Sequence, residues 1–322
     1  MTRRTHILLG VLGASTAAVL VGPFLVPVPP LQDTAPPEQL ADPDSRFAVV
    51  NGVKLHYKIA GSGKPSMILL HGFASSTFGW REVMAPLAEV GTVVAYDRPS
   101  SGLTERLLPG DWTGESPYSP QAQVDQLISL MDLLGLRQAI LIGNSAGGTV
   151  AMHTALCYPD RVAALVLVDA AIYTAGGAPS WATPVLRSPQ LSRLGLLLLR
   201  GIFGHGELLL GPAWHDASRI TPQIKAGHRA VLRAQNWDRG LWELTVAARD
   251  LKLGARVKDV CQPTLVITGD DDRIVPTAQS IRLAGELPNA ELVVIPSCGH
   301  VPQEECPEPF LTAVKGFIAH IR

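Results

Sequence analysis

Short apolar runs punctuate this chain at Met67–Leu70, Thr92–Tyr96, Ala139–Ile142, Leu165–Val168, Thr264–Thr268 and Leu292–Ile295. None alternates strictly between apolar and polar residues, and most run directly into Gly, Asp or Pro, the pattern of short strands covered on both faces. Ahead of them, Arg46–Val50 and Val53–Tyr57 flank Asn51-Gly52, a hairpin signal. Helices are expected near Trp80–Ala88 and from about Pro120 to Leu134, so strands and helices alternate as in an α/β protein. After Val168 the alternation stops, and from Ala170 to Val260 apolar residues recur at helical spacing. Leu191, Leu194 and Leu198 do so first, then Ile224, His228 and Val231, then Leu241, Trp242 and Leu244. The expected fold class is α/β, with a mostly parallel central sheet, helices on both faces and a helical insertion.

The first thirty residues follow another pattern. Arg3 and Arg4 precede an uncharged stretch from Ile7 to Pro30, and Ile7–Val28 is long enough to cross a bilayer at about 20 residues. A cleavable signal should end in small residues, yet Ala14–Ala18 lies in mid-stretch and is followed by more apolar residues. The reading is therefore a cell-membrane anchor in residues 1–30, arginines inside and the rest of the chain outside, with secretion after signal cleavage as the alternative. Residues 31–45, with Pro36, Pro37 and Pro43, read as a stiff linker. The core is expected in 46–169 and 261–322.

Composition narrows the function. A formal charge of −1 supplies no basic field for a nucleic acid. No Gly-x-Gly-x-x-Gly or Gly-x-x-x-x-Gly-Lys loop is present, so no nucleotide or other cofactor is expected. His153, His205, His215 and His228 lack ligand-like spacing, and no metal is expected. Cys157, Cys261, Cys298 and Cys306 show no CxxC pattern, although Cys298 and Cys306 bracket His300 closely enough for a disulfide if the domain is exported.

The chemistry concentrates after the third of the runs. Gly143-Asn144-Ser145-Ala146-Gly147 sets a serine between glycines at a strand end, and Gly147, Gly148, Ala151 and Ala155 give the following helix a small-residue face. Such an elbow exposes the serine hydroxyl as a nucleophile, which needs a histidine base and an orienting carboxylate. Both follow in the order Ser, Asp, His, on loops leaving strand ends. Asp270, Asp271 and Asp272 lie after Thr264–Thr268, and His300 lies after Leu292–Ile295. Asp169, after Leu165–Val168, is a rival acid or a brace for the chain entering the helical insertion. His71 is a further candidate base.

Together these motifs resemble the α/β-hydrolase fold family from about Phe47 to the C-terminus. His71-Gly72-Phe73 is similar to its oxyanion loop, and Tyr96-Asp97-Arg98-Pro99 with Gly102 to its next signature turn, in a variant with Arg-Pro after the aspartate. Gly269-x-x-Asp272-x-Ile-Val-Pro276 resembles the acid motif, which selects Asp272. Gly299-His300-x-Pro302-x-x-Glu305-x-Pro307 resembles the histidine motif. The resemblance implies a triad of Ser145, Asp272 and His300, an oxyanion hole made by the backbone N–H groups of Phe73 and Ala146, and a helical cap over residues 170–260. A serine at the elbow disfavours epoxide hydrolysis and dehalogenation, which use aspartate there. The expected activity is hydrolysis of a small or apolar ester through an acyl-enzyme. Carbon–carbon hydrolysis of diketone-type ring-fission products is the alternative, with a slow-turnover ligand receptor as the non-enzymatic one. Leu196–Leu199, Ile202, Phe203 and Leu208–Leu210 would line an apolar channel, face the membrane near the anchor, or pack within the cap.

Overall fold

In a computed structural model, which describes residues 21–174, 176–204 and 210–321, eight strands form one sheet. These are β1 (Arg46–Val50), β2 (Val53–Ala60), β3 (Ser66–Leu70), β4 (Thr92–Tyr96), β5 (Ala139–Asn144), β6 (Val162–Val168), β7 (Thr264–Gly269) and β8 (Ala290–Ile295). Their spatial order is β1-β2-β4-β3-β5-β6-β7-β8; β2 is antiparallel to β1 and β4, and every later pairing is parallel. Parallel neighbours need crossovers, which the helices supply. The main ones are α1 (Arg81–Ala88), α2 (Pro120–Leu133), α3 (Ala146–Cys157), α4 (Pro189–Phe203), α5 (Pro222–Arg229), α6 (Trp237–Ala247), α7 (Thr277–Glu286) and α8 (Pro307–His320).

The lack of alternation in the central strands is explained by cover on both faces. On one face the strands meet α2 and α3: Ile68, Leu141 and Leu165 pack with Leu127, Met131 and Ala151. On the other, Leu69, Val93 and Val166 pack with Val83 of α1 and Phe310 and Phe317 of α8. Helix α3 lies so close to the sheet that a Cβ on Gly147 would sit 2.0 Å from the Leu70 carbonyl oxygen, which is why the elbow is flanked by glycine. The carboxyl ends of β3, β5, β6, β7 and β8 thereby deliver His71, Ser145, Asp169, Asp272 and His300 to one edge of the sheet, where open α/β sheets gather ligands.

Between β6 and β7 the chain is helical. Gly195 of α4 faces the Trp242 ring of α6, and Leu199 packs with Trp237 and Leu241. Leu194 and Leu198, on another face of α4, are exposed. Leu208 and Leu209 lie outside the described residues, as does His205.

The expectation of a membrane anchor with the catalytic domain outside the cell is corrected. Among the described residues no helix is long and apolar enough to cross a membrane. Residues 1–20 of the expected span lie outside the described residues, and its described remainder is helical only over 21–25, ending before Pro27. Pro27, Pro29 and Pro30 cannot donate the backbone hydrogen bonds that would carry a helix onward. Here the Val26 carbonyl accepts from the Arg193 guanidinium at 2.9 Å, and the Pro29 carbonyl from Arg200, both on α4. Residues 31–45, read as a linker, lie along the body: the Ala35 N–H donates to Arg233 O at 2.8 Å, and Asp42 and Asp44 pair with Lys58.

Candidate active site

Ser145 stands between β5 and α3 with φ 53° and ψ −119°, a strained conformation that a turn this tight imposes on the residue at its tip. Its N–H donates to Val168 O at 2.9 Å, and its carbonyl accepts from Gly148 N–H at 3.0 Å and Ala171 N–H at 3.2 Å. The backbone around the hydroxyl is thus tied to β6 and to the first turn of α3. Asn144, just before it, donates its side-chain amide to His300 O at 3.0 Å. That bond links the serine turn to the histidine loop.

His300 Nδ1 lies 2.7 Å from Asp272 Oδ2. The other carboxylate oxygen, Oδ1, accepts the Ile274 and Val275 N–H groups at 2.8 and 2.9 Å. Both side chains are buried. The carboxylate therefore fixes the proton on Nδ1 and leaves Nε2 free of it, and His300 and Ser145 line the same cavity. The neighbouring aspartates have other partners. Asp270 Oδ1 accepts the Cys298 N–H at 3.3 Å, and Asp271 pairs with His215 at 2.8 Å and with Arg273.

Asp169 is a second buried carboxyl at the same place. One ligand-type atom from each of Asp169, Asp272 and His300 lies within 4.8 Å of the others. Asp169 Oδ1 accepts the Thr268 hydroxyl at 2.6 Å. Burial, and then the charge of Asp272, push its carboxyl well above the usual range. Its Oδ1 is spent on Thr268, and the pairing with His300 falls to Asp272.

The loop expected to hold the oxyanion follows β3. A Cβ on Gly72 would stand 3.4 Å from Ser145 Cβ, so this backbone abuts Ser145. His71 is buried, its Nδ1 donating to Gly72 O at 2.8 Å and its Nε2 accepting the Arg98 N–H at 3.0 Å. Both ring nitrogens are used in the neutral form, so His71 holds the loop and has no proton to exchange with substrate. Burial, reinforced by the Arg98 charge, lowers its pKa to about 4. A histidine held below its ordinary value stabilises the fold above about pH 6.5, and that stabilisation is lost as pH falls from there toward 4. At about 1.4 kcal/mol per pH unit this reaches about 3 kcal/mol. Urea midpoints of the wild type should therefore fall between pH 7 and 4.5 by more than those of His71→Gln; parallel declines would remove His71 from the account.

Glu305, fully buried, ties the site to the helical segment. Its carboxylate accepts the N–H groups of Gly299 at 2.8 Å, His215 at 2.9 Å and Asp216 at 2.9 Å, while His300 N–H donates to Ala213 O at 2.8 Å. Nearby, Glu304 pairs with His228 of α5 and Arg81 of α1. All four cysteines are free, Cys298 and Cys306 included, so the disulfide considered around His300 is not formed.

Two cavities meet at the catalytic edge. One of about 230 Å³ contains Ser145 and His300 and is lined by apolar residues of the helical segment, among them Ile202, Phe203, Leu232 and Leu241, with Arg106 and Ser100 as polar walls. Arg106 Nε and Ser100 Oγ are buried without a hydrogen-bond partner among the described residues. The second, of about 610 Å³, lies beyond Phe73 and Ala146 and runs between Ile172 and the other side of α6. Sequence reasoning picked out Ile202 and Phe203 by hydrophobicity alone. It gave no role to Asn144, Glu305 and Arg98, whose contacts with His300, His215 and Gly72 lie far along the chain.

The profile of the α/β-hydrolase fold family matches residues 65–307. The chain belongs to that family, and it is a hydrolase of that fold. It is 33% identical to a 2-hydroxy-6-oxononadienedioate/2-hydroxy-6-oxononatrienedioate hydrolase of Paraburkholderia phymatum, over 83% of this chain and 91% of that protein. Among solved structures it is similar to a meta-cleavage product hydrolase from Pseudomonas fluorescens, with a TM-score of 0.65 and 25% identity, covering 86% of this chain and 98% of that one. An esterase from Thermogutta terrifontis shares the fold at a TM-score of 0.69 and 24% identity, covering 86% of this chain and 98% of that one.

Proposed function

We propose that this chain is a serine hydrolase of carbon–carbon bonds in 2-hydroxy-6-oxo dienoate ring-fission products, with Ser145 as nucleophile, His300 as base and Asp272 as its orienting acid. The observation that carries this reading over ester cleavage is the likeness, along nearly the whole domain, to hydrolases named for such substrates. In this reading the Ser145 oxygen attacks the 6-keto carbon as His300 Nε2 takes its proton, and the N–H groups of Phe73 and Ala146 hold the oxyanion. The dienol is first ketonised, its 2-hydroxyl proton passing to C5, so that the tetrahedral adduct can collapse by breaking the C5–C6 bond. Its electron pair passes into the conjugated 2-oxo acid, which is protonated and leaves. Water activated by His300 then frees the acyl group from Ser145. The helical segment acts as a cap, excluding bulk water from a step that releases a stabilised carbanion.

Cavity chemistry refines the substrate. The smaller cavity mixes apolar residues of the helical segment with polar ones, Ser75, Ser101, His228 and Glu304 among them; Arg106 Nε and Ser100 Oγ, buried without a partner among the described residues, are the groups that suit a single carboxylate, with an apolar group beyond the ketone. The same apolar lining favours a second reading, hydrolysis of an ester of an apolar acid. Both are tested by comparing kcat/KM for 2-hydroxy-6-oxononadienedioate, a 6-alkyl or 6-phenyl monocarboxylate analogue, and nitrophenyl esters from acetate to palmitate. The monocarboxylate dienoate should exceed the best ester by about 100-fold, because only it uses the acid-binding wall and the conjugated leaving group. An ester that outruns every dienoate would establish the second reading instead.

A further inference from the structure

We infer that Arg98 is a positioning residue that strengthens the oxyanion hole by polarising the peptide group joining Gly72 to Phe73. The inference rests on the proposed role of the Phe73 N–H as an oxyanion donor. That N–H and the Gly72 carbonyl belong to one amide, so whatever withdraws electron density from the oxygen makes the N–H a better donor.

Two donors converge on this oxygen. The Arg98 guanidinium NH2 approaches Gly72 O at 3.1 Å, and His71 Nδ1 at 2.8 Å. Arg98 governs both bonds: its backbone N–H occupies His71 Nε2 at 3.0 Å, which forces the imidazole proton onto Nδ1, where Gly72 O is the acceptor. Gln123 Oε1 receives the other guanidinium nitrogen, NH1, at 3.0 Å and fixes the fork in place. The group is buried, and burial lowers it only to about 10, so it is charged at neutral pH. A charge-assisted bond in a water-excluded site is stronger than a neutral one. Nor, among the described residues, does a carboxylate hydrogen-bond Arg98 to absorb that charge: its side-chain bonds go to a carbonyl and an amide oxygen, and Nε has no partner. A purely structural clamp has no need of a buried, unneutralised cation against the back of the amide beside Ser145. An oxyanion hole does.

The test uses the full chain with Arg98→Met, which keeps much of the stem and removes the donors, and Arg98→Lys, which keeps the charge. Each is assayed on the best substrate found above, and against a trifluoromethyl ketone, which forms an oxyanion adduct with Ser145, and the matching methyl ketone, which binds without stable addition. Removing a whole oxyanion donor costs 10²–10³ in kcat, so weakening one should cost about tenfold. Arg98→Met is expected to lower kcat by about tenfold with KM changed less than about twofold, to weaken the trifluoromethyl ketone by the same factor, and to leave the methyl ketone unchanged. Arg98→Lys should recover part of the loss. A folded Arg98→Met with kcat and trifluoromethyl ketone affinity within about twofold of wild type overturns the inference. Equal losses on both ketones also overturn it, since they mean a collapsed loop. If Arg98→Met does not fold, Arg98→Lys decides by the same ketone comparison. Fluorophosphonate labelling of the wild type separates the levels: no labelled Ser145 rejects the nucleophile and this inference with it, whereas normal labelling with unmoved variants rejects Arg98 alone.

Discussion

Replacing Ser145 with alanine is expected to lower turnover by about 10⁶-fold and to abolish covalent labelling by a fluorophosphonate, with little change in stability. The size of the effect follows from how the triad works as a unit: without the oxygen nucleophile, His300 and Asp272 have nothing to activate, and only substrate binding and the oxyanion donors act on the reaction. Stability should hold because the strained backbone at φ 53° is imposed by the turn and its bonds to Val168 and Gly148, which the alanine retains. Mass spectrometry of wild type and variant after labelling checks it, and a variant labelled to the same extent would move the nucleophile elsewhere.

The two buried aspartates should answer the same substitution in opposite ways. Asp272→Asn is expected to lower kcat by about 10⁴-fold, since an amide can hold His300 in the wrong tautomer while leaving the geometry intact. Asp169→Asn should keep kcat within a few-fold, because the amide oxygen can still accept from Thr268 while Asp272 keeps its pairing with His300. The sign of its stability effect also follows. A carboxyl raised above its ordinary value favours folding below that value, and the contribution is lost as pH rises through the folded one. Asp169→Asn should thus be the more stable protein at pH 8, with the advantage gone near pH 4. Denaturant midpoints at the two pH values, beside kcat, make the comparison. Loss of activity from Asp169→Asn with retention in Asp272→Asn would exchange their roles.

What could be read from sequence was whatever has a local signature. Strands covered on both faces announce themselves as apolar runs, and the serine turn by glycines that leave room for it. His300 was legible because loops leaving strand ends carry chemistry in this architecture. Choosing Asp272 among three adjacent aspartates took the family's spacing, and the structure gives the physical reason: Asp270 and Asp271 are turned toward Cys298, His215 and Arg273. Arg98 was visible only as a variant of a turn, because its partners Gly72 and Gln123 lie about 25 residues to either side. The N-terminal reading failed for a different reason. Hydropathy reports that a segment is apolar without saying where its helix ends, and the α4 arginines that hold the Val26 and Pro29 carbonyls carry no signal in that stretch.

The bonds around Glu305 have a mechanical consequence. One carboxylate holds both the loop that carries His300 and the chain at His215 and Asp216, and the His300 N–H itself is spent on Ala213. In the proposed mechanism, lifting this corner of the helical segment would pull His300 away from Ser145. Substrate and product are then expected to pass at the opposite margin, along α4 and α6, and a molecule caught with the Glu305 corner raised would be open and inert at once.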